Sequence, residues 1–143
     1  MKLISKFALL IIILAILYFL ISGNLFSSSP FVIAGQVLAV ALSIWARRSF
    51  QAGQFSIHAE PEKGNLLLTG PYQVIRHPMY ASALLIIWST ILGHWSIANA
   101  VIGLIVISVI AIRITTEEQF LQASYPDYAE YSRNTKRIIP FII

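Results

Sequence analysis

The chain has 143 residues, of which 57% are hydrophobic and 11% are charged, and its formal net charge is +4. Soluble globular domains carry about 25% charged residues, so this composition excludes an ordinary soluble protein and indicates a single integral membrane domain over residues 1–143. The absence of cysteine excludes disulfides, thiolate metal sites and cysteine nucleophiles. The three histidines lack metal-ligand spacing, so we expect no metal site.

Four apolar segments follow one another along the chain, and each predicts a membrane helix. They cover residues 3–21, 30–46, 79–92 and 97–112. A span needs about 20 residues, so the third segment crosses fully only if its helix runs from about Pro78 through Trp95, and a re-entrant segment is the alternative. The short link over residues 93–96 makes the last two helices an antiparallel hairpin. The predicted fold class is an all-α membrane protein with about four transmembrane helices.

The first segment also has features of a signal peptide, because Lys2 and Lys6 precede its apolar core. No small-residue cleavage site follows this core, and the core is long for a signal peptide. We therefore expect the segment to remain in the protein as the first membrane helix.

The charged residues predict the orientation of the chain in the membrane. With the N-terminus in the cytoplasm and four spans, all ten lysines and arginines and all six acids lie on the cytoplasmic side. The positive-inside rule describes this distribution. We expect a multi-pass protein with both termini in the cytoplasm, in the inner membrane if the cell is prokaryotic. The net charge then reflects topology, and we expect no nucleic-acid partner.

Charged chemistry is thereby confined to a loop over residues 47–78 and to the tail after residue 112. The loop is long, and its apolar and aromatic residues favour an ordered structure. Pro78 suits the first turn of the third helix, where a missing N–H costs nothing. His77 is then biased to an extended conformation just outside that helix.

The tail is predicted to begin inside the fourth helix. Residues after 112 keep a helical spacing, so this helix continues to about Ser124. Pro126 starts a short helix that presents Tyr128 and Tyr131 on one side. The stretch IIPFII then returns to the membrane surface.

The stretch GPYQVIRHPMY, residues 70–80, concentrates polar and aromatic residues before and at the start of the third helix. His77 is either satisfied by backbone groups or a donor to an anionic ligand group. Tyr72 and Tyr80 are either aromatic residues of the membrane interface or walls of a pocket for a cation, because aromatic faces attract onium groups.

Arg113, Glu117 and Glu118 form a second polar group, at the end of the fourth helix. Arg113 is a snorkelling interface anchor, a partner of Glu117 one turn away, or a substrate anchor that binds a carboxylate or phosphate through two hydrogen bonds. The glutamates form a solvated face, or one accepts from a ligand ammonium. Together the two polar groups would suit a zwitterionic, cationic cofactor and a polar-headed lipid.

The sequence resembles the isoprenylcysteine carboxyl methyltransferase and phospholipid methyltransferase superfamily in LLLTGPYQVIRHPMYAS and in the later RITTEEQFL, YPDYAEY and RIIPFI. The resemblance covers about residues 45–143, and the pairing of RHPxY with RxxxEE is its specific feature. It implies an integral membrane enzyme that holds S-adenosyl-L-methionine between the cytoplasmic loop and the tail. Two departures are Tyr125-Pro126 in place of a frequent Phe-Gly, and the lack of the phospholipid branch's GxG motif, which weakens a phosphatidylethanolamine assignment.

The resemblance also implies site residues. It places Arg113 and Glu117 at the methyl acceptor, as catalytic residues. Glu118 matches a second glutamate whose role differs among family members, and we group it with the cofactor-binding residues. The other cofactor-binding residues implied are Leu66, Leu67, Tyr72, His77, Pro78, Met79 and Tyr80.

The activity implied by the resemblance is methylation of a lipophilic acceptor at the cytoplasmic membrane surface, most like carboxyl methylation of isoprenylcysteine. The alternative is N-methylation of a phospholipid head group. The partners would be a lipophilic or lipidated substrate and membrane lipid. Two rivals are an NADPH-dependent membrane reductase, with Arg47 and Arg48 on its phosphates, and a small transporter or structural subunit. The few polar residues within the spans disfavour a transporter.

Overall fold

The structure of the chain is a computed structural model that describes residues 2–49 and 66–140. These residues form α1 (Lys2–Ile21), α2 (Pro30–Arg48), a 3-10 turn (Gly70–Gln73), α3 (Pro78–Gly93), α4 (Ile97–Ser124) and α5 (Tyr128–Asn134). No strand occurs among the described residues, so the all-α fold class is confirmed. The predicted order of residues 50–65 and the membrane return of residues 141–143 lie outside the described part.

Two helices, α2 and α4, are long and apolar enough to cross a membrane. The apolar part of α1, Phe7–Ile21, and the whole of α3 are shorter. The 16 residues of α3 cover about 24 Å at 1.5 Å per residue, against about 30 Å of hydrocarbon. The described residues thus contain two candidate membrane-spanning helices, and the count of four spans stays a prediction.

The helix α3 ends at Gly93, two residues short of Trp95, the end that a full span would require. His94 leaves the helical region, with φ −135° and ψ 65°. Ser96 then caps α4, and its hydroxyl oxygen accepts from the Asn99 N–H at 3.1 Å. The Asn99 side chain donates to the His94 carbonyl at 2.6 Å. This capping stabilises a link of only three residues, and the predicted α3–α4 hairpin is present.

The core lies where α1, α3 and α4 meet. It contains Ile12, Ala15, Phe19, Ile87, Ile91, Val106, Ile110 and Ile114. Within each helix these residues recur mostly three or four positions apart, which places them on one face. Many large apolar side chains on α1, α2 and α4 are exposed, as expected for helices that face lipid hydrocarbon.

The helix α2 packs on α3 through a close backbone approach. A Cβ on Gly35 would overlap the Ser89 side chain, so the glycine allows the two helices to come together. Gln36 donates through Nε2 to the Leu25 carbonyl at 2.6 Å and to Thr90 Oγ1 at 3.2 Å. These contacts tie the α1–α2 link to the C-terminal end of α3, away from the charged residues.

The start of α3 and the end of α4 lie at the same end of the bundle. Pro78 occupies the first turn of α3, and His77 is the N-cap, with φ −125° outside the helical region. Both positions were predicted. The helix α4 continues past its apolar residues to Ser124, also as predicted, which carries its acidic residues alongside the start of α3.

Candidate active site

The 3-10 turn fixes the segment over residues 70–80 to the end of α2. Gly70 has a φ of +61°, a conformation that favours glycine, and a Cβ there would overlap the Ser49 side chain. The Thr69 hydroxyl donates to the Ser49 carbonyl at 3.4 Å. Pro71 and Tyr72 are buried in the turn. The contact with α2 therefore sets the position from which the chain reaches α3.

The C-terminal tail pairs with the residues just before α3. The Arg76 N–H donates to the Lys136 carbonyl at 2.7 Å, and the His77 N–H donates to the Arg137 carbonyl at 2.9 Å. In return, the Lys136 N–H donates to the Val74 carbonyl at 3.0 Å. These bonds form a short parallel bridge, so the tail becomes part of the site.

Arg76 joins three parts of the site through its side chain. Its Nη1 donates to the Ser132 carbonyl at 2.8 Å and to the Thr135 carbonyl. These carbonyls lie at the C-terminal end of α5, where the helix dipole favours a cation. Its Nε donates to Glu118 Oε1 at 2.9 Å, so the same guanidinium links α5 to α4.

Glu118 contacts three basic side chains. Its Oε1 accepts from Arg76 Nε and lies 3.3 Å from His77 Nε2. Its Oε2 lies 3.0 Å from Arg137 Nε and 2.9 Å from Arg137 Nη2. The hydrogen bond to Glu118, and then the charge of Glu118, raise the pKa of Arg137. Glu118, a predicted cofactor-binding residue, is thus surrounded by basic side chains of the protein.

Tyr80 links the two predicted catalytic residues. Its hydroxyl donates to Glu117 Oε2 at 2.8 Å and accepts from Arg113 Nε. The Arg113 guanidinium carbon lies 5.6 Å from the centroid of the Tyr80 ring, within cation–π range. The His77 ring stacks on the same ring, with centroids 5.6 Å apart. The start of α3 and the end of α4 thereby bring these four side chains into one network.

Tyr72 and Tyr131 hold the 3-10 turn against α5. The Tyr131 hydroxyl donates to the Tyr72 carbonyl at 2.8 Å. Burial, and then the charge of Glu117, raise the pKa of Tyr72. Burial raises the pKa of Tyr131 to about 12, although the charge of Arg76 opposes this shift. Both phenols therefore stay protonated at neutral pH, and the Glu117 charge acts on the Tyr72 side chain.

A cavity of about 340 Å³ lies between α5 and the residues in and just before the 3-10 turn. Its lining comprises Leu66, Leu68, Gln73, Asp127, Glu130, Tyr131, Asn134 and Thr135. Leu66, a predicted cofactor-binding residue, is in this lining, whereas Leu67 is partly buried outside it. The volume falls within the range of small-molecule sites, roughly 300–1,000 Å³.

Pro78 and Met79 belong to the first turn of α3. Pro78 is buried, and the Met79 carbonyl accepts from Ser82 Oγ at 2.8 Å. Both residues are predicted to bind cofactor, and the turn that they form carries Tyr80 into the network with Arg113.

Sequence reasoning missed the residues that hold the site together from the tail, namely Tyr131, Thr135 and Arg137. Arg137 opens the stretch RIIPFI, on which the family resemblance partly rests, so the motif contained a signal. The spacing of that motif does not identify Glu118 as the partner of Arg137. Only the pairing of the tail with residues 74–77 brings the two together.

The assembled site offers a guanidinium, protonated phenols and carboxylates at one end of the helices. A guanidinium orients a carboxylate or phosphate, aromatic faces attract onium groups, and a carboxylate can accept a proton. Within residues 2–49 and 66–140, no group of three or more histidines and acids is arranged to hold a metal ion. The chemistry of the guanidinium, phenols and carboxylates suits an onium group beside a polar acceptor.

Comparison with known proteins supports a methyltransferase relationship. An 87-residue region is 36% identical to the cobalt-zinc-cadmium resistance protein CzcN of Cupriavidus metallidurans, over 59% of this chain and 40% of that protein. The chain therefore spans less than half the length of that relative. No solved structure matches the chain. The phospholipid methyltransferase family model matches residues 26–128, which is more than half of the chain and includes the 3-10 turn, α3 and α4. The chain belongs to the phospholipid methyltransferase family, within the isoprenylcysteine carboxyl methyltransferase-like membrane superfamily.

Proposed function

We propose that this protein is an S-adenosyl-L-methionine-dependent methyltransferase that acts on a lipophilic acceptor at the cytoplasmic membrane surface. The observation that carries the proposal is the network from Arg113 through Tyr80 to Glu117. It lies at the charged end of two packed apolar helices, where a lipid-borne polar group would arrive from the bilayer. Membership in a family of membrane methyltransferases supports the reaction class.

The described residues fit the cofactor in charge and in polarity. S-adenosyl-L-methionine carries a sulfonium cation, which aromatic faces and a nearby carboxylate attract. Tyr72, Tyr80 and Glu117 supply both features. Leu66 and Tyr131 give the neighbouring cavity apolar and aromatic walls, which suit a purine ring. When bound, the cofactor would supply an electrophilic methyl group.

The chain's own residues would bind and orient both reactants. The candidate cofactor-binding residues are Leu66, Leu67, Tyr72, His77, Pro78, Met79 and Tyr80. His77 is only 4% exposed, and its ring is held between Tyr80 and Glu118. A side chain held in this way contributes by fixing the geometry of the reacting atoms, which can lower a barrier substantially.

A carboxylate is the acceptor that we favour, as in carboxyl methylation of isoprenylcysteine. A carboxylate is already nucleophilic at neutral pH and needs an orienting cation more than a base. Arg113 is 7% exposed, and a guanidinium in such a setting binds a carboxylate strongly and with a defined direction.

An amine in a phospholipid head group is the second candidate acceptor. The name of the matching family model favours it. An amine must lose a proton during methylation, and the Glu117 carboxylate next to Tyr80 is placed to accept one. The same network therefore serves either acceptor, with Arg113 more important for the carboxylate and Glu117 for the amine.

The test is calorimetric binding of S-adenosylhomocysteine to detergent-purified protein. The variant is His77→Ala, and the matched control is His94→Ala, which removes a histidine at the opposite end of α3. We expect the wild type to bind at micromolar concentration, His77→Ala to bind about tenfold more weakly, and His94→Ala to bind normally.

Failure of a folded wild type to bind S-adenosylhomocysteine would overturn the proposal, and binding of NADPH instead would favour the reductase. Equal weakening by both histidine variants would indicate a general loss of packing. Normal binding by His77→Ala would remove His77 from the cofactor site.

A further inference from the structure

We propose that Glu118 is a positioning residue that docks the C-terminal tail onto the cofactor site and does not itself bind the cofactor. Its three partners are Arg76, His77 and Arg137, and we call these four residues the Glu118 clamp. The docking part of the proposal stands on the described contacts alone. Its effect on cofactor affinity rests on the proposed function.

Both carboxylate oxygens of Glu118 are already in contact with basic side chains of the protein. An ionised carboxylate has about four lone-pair sites, and four nitrogen atoms lie within 3.3 Å of its two oxygens. The side chain is 13% exposed. A ligand ammonium could reach this carboxylate only by displacing a nitrogen that is already in place.

The four residues of the clamp come from three separate segments. Arg76 and His77 precede α3, Glu118 lies on α4, and Arg137 lies in the tail. The backbone bonds between residues 74–77 and 136–137 run beside the clamp. The clamp therefore closes around the point where the tail meets the site.

The partners of Glu118 differ in exposure, which predicts how much each matters. The Arg137 side chain is 50% exposed, and exposed ion pairs contribute little. The side chains of Arg76 and His77 are 9% and 3% exposed, and leaving the buried Arg76 guanidinium without its anion is costly. Loss of Glu118 should therefore disturb the site more than loss of Arg137.

His77 connects the clamp to the reactants. Its Nε2 faces Glu118, and its ring stacks on Tyr80, whose hydroxyl contacts Glu117. If the clamp opens, the His77 ring loses one of these two supports. Glu118 would thus influence cofactor affinity through His77.

The experiment compares Glu118→Gln, Arg137→Gln and the double variant with Lys136→Gln, a control that removes a charge from the neighbouring exposed residue. Glutamine is close to glutamate in size and helix propensity. The first measurement is amide hydrogen exchange over residues 74–77 and 135–138, which needs no ligand. The second is the affinity for S-adenosylhomocysteine.

We expect faster exchange in both segments for Glu118→Gln and, to a smaller degree, for Arg137→Gln. Affinity should fall about tenfold and about threefold, respectively, and the double variant should bind no more weakly than Glu118→Gln, because both changes open one clamp. Glu118→Asp, which keeps a carboxylate, should recover part of both losses. Lys136→Gln should match the wild type in both measurements.

Unchanged exchange in Glu118→Gln would overturn the proposal, and if affinity nevertheless fell, Glu118 would be a direct ligand of the cofactor. Additive losses of affinity in the double variant would also contradict it. If Glu118→Gln does not fold, the half-exposed Arg137→Gln provides the same comparison against Lys136→Gln. If the wild type binds no S-adenosylhomocysteine, the proposed function fails, while hydrogen exchange still tests the docking.

Discussion

Tyr80 contacts both polar groups of the site, His77 just before α3 and the Arg113–Glu117 pair on α4. Its hydroxyl lies between Arg113 and Glu117, and its ring lies against His77. The predicted pair of Arg113 and Glu117, one helical turn apart, is therefore bridged by a side chain from another helix. The Tyr80 hydroxyl holds both side chains in place by hydrogen bonds, and the Tyr80 ring also lies within cation–π range of Arg113.

The Arg113→Ala variant should lose methyl transfer and retain the cofactor. We expect turnover to fall roughly 100-fold, the order seen when a charged or polar donor to a reacting group is removed. Affinity for S-adenosylhomocysteine should stay close to that of the wild type. The measurement is transfer of labelled methyl groups to a prenylcysteine carboxylate and to membrane phospholipid, with Arg133→Ala, on the surface of α5, as control.

Loss of S-adenosylhomocysteine binding in Arg113→Ala would instead assign this residue to the cofactor half of the site. Arg113→Lys separates charge from geometry, because an ammonium cannot form the two parallel bonds of a guanidinium. A carboxylate acceptor predicts poor turnover in both variants.

At the scale of the elements, the 3-10 turn sets the distance between α2 and the start of α3. Gly70 begins this turn with a positive φ and packs against Ser49 and Trp45 at the end of α2. Gly23, in the α1–α2 link, also has a positive φ, but a Cβ there would meet nothing within 4 Å. A comparison of substitutions at the two glycines therefore separates the cost of a positive φ from the cost of steric crowding.

We predict that Gly70→Ala destabilises the protein more than Gly23→Ala. Backbone strain alone should cost about 1–2 kcal/mol at either position, and at Gly70 the added methyl group must also displace the Ser49 hydroxyl and crowd Trp45. Unfolding in detergent, followed by helix signal, measures both costs. Gly70→Ala should also weaken S-adenosylhomocysteine binding, because the turn carries Tyr72. Equal effects of the two variants on stability and binding would argue against a role of the α2 contact.

At the scale of the whole molecule, the distribution of charges favours four membrane crossings, whereas α3 is short for one of them. All charged residues lie at one end if four helices cross the membrane, as the positive-inside rule favours. The length of α3 is short for a full span. Whether α3 crosses decides whether the α1–α2 link and the tail lie on opposite sides.

Single cysteines can test this topology, because the natural chain has none. We expect Ser28→Cys, in the exposed α1–α2 link, to react with an impermeant thiol reagent applied from outside the cell. Arg133→Cys, on exposed α5, should react only after the membrane is opened. Three crossings between these positions require opposite sides. Labelling of both from the same side would mean that α3 is re-entrant, and the reverse pattern would place the tail outside.

The sequence by itself was sufficient for the helices, and its motifs named most of the side chains that meet in the candidate site. Apolar runs and Pro78 act locally, so they mark the helices and the start of α3 with little dependence on distant residues. The end of α3 at Gly93 falls at the edge of the link predicted over residues 93–96. The capping of that link by Ser96 and Asn99 is a detail that a hydropathy pattern does not register. The family resemblance named Arg113, Glu117, Tyr72 and Tyr80 because its motifs combine spacing with residue type.

Tertiary structure alone decided which partners these residues have. Tyr80 and Glu117 are 37 positions apart, and Arg76 and Glu118 are 42 apart, so neither contact follows from a helical period. Glu118 shows the difference most clearly, since its motif names the residue, whereas only the packing shows that three basic side chains surround its carboxylate. The physical reason is that periodicity reports which face of a helix is buried, whereas the pairing of charges depends on how distant segments pack.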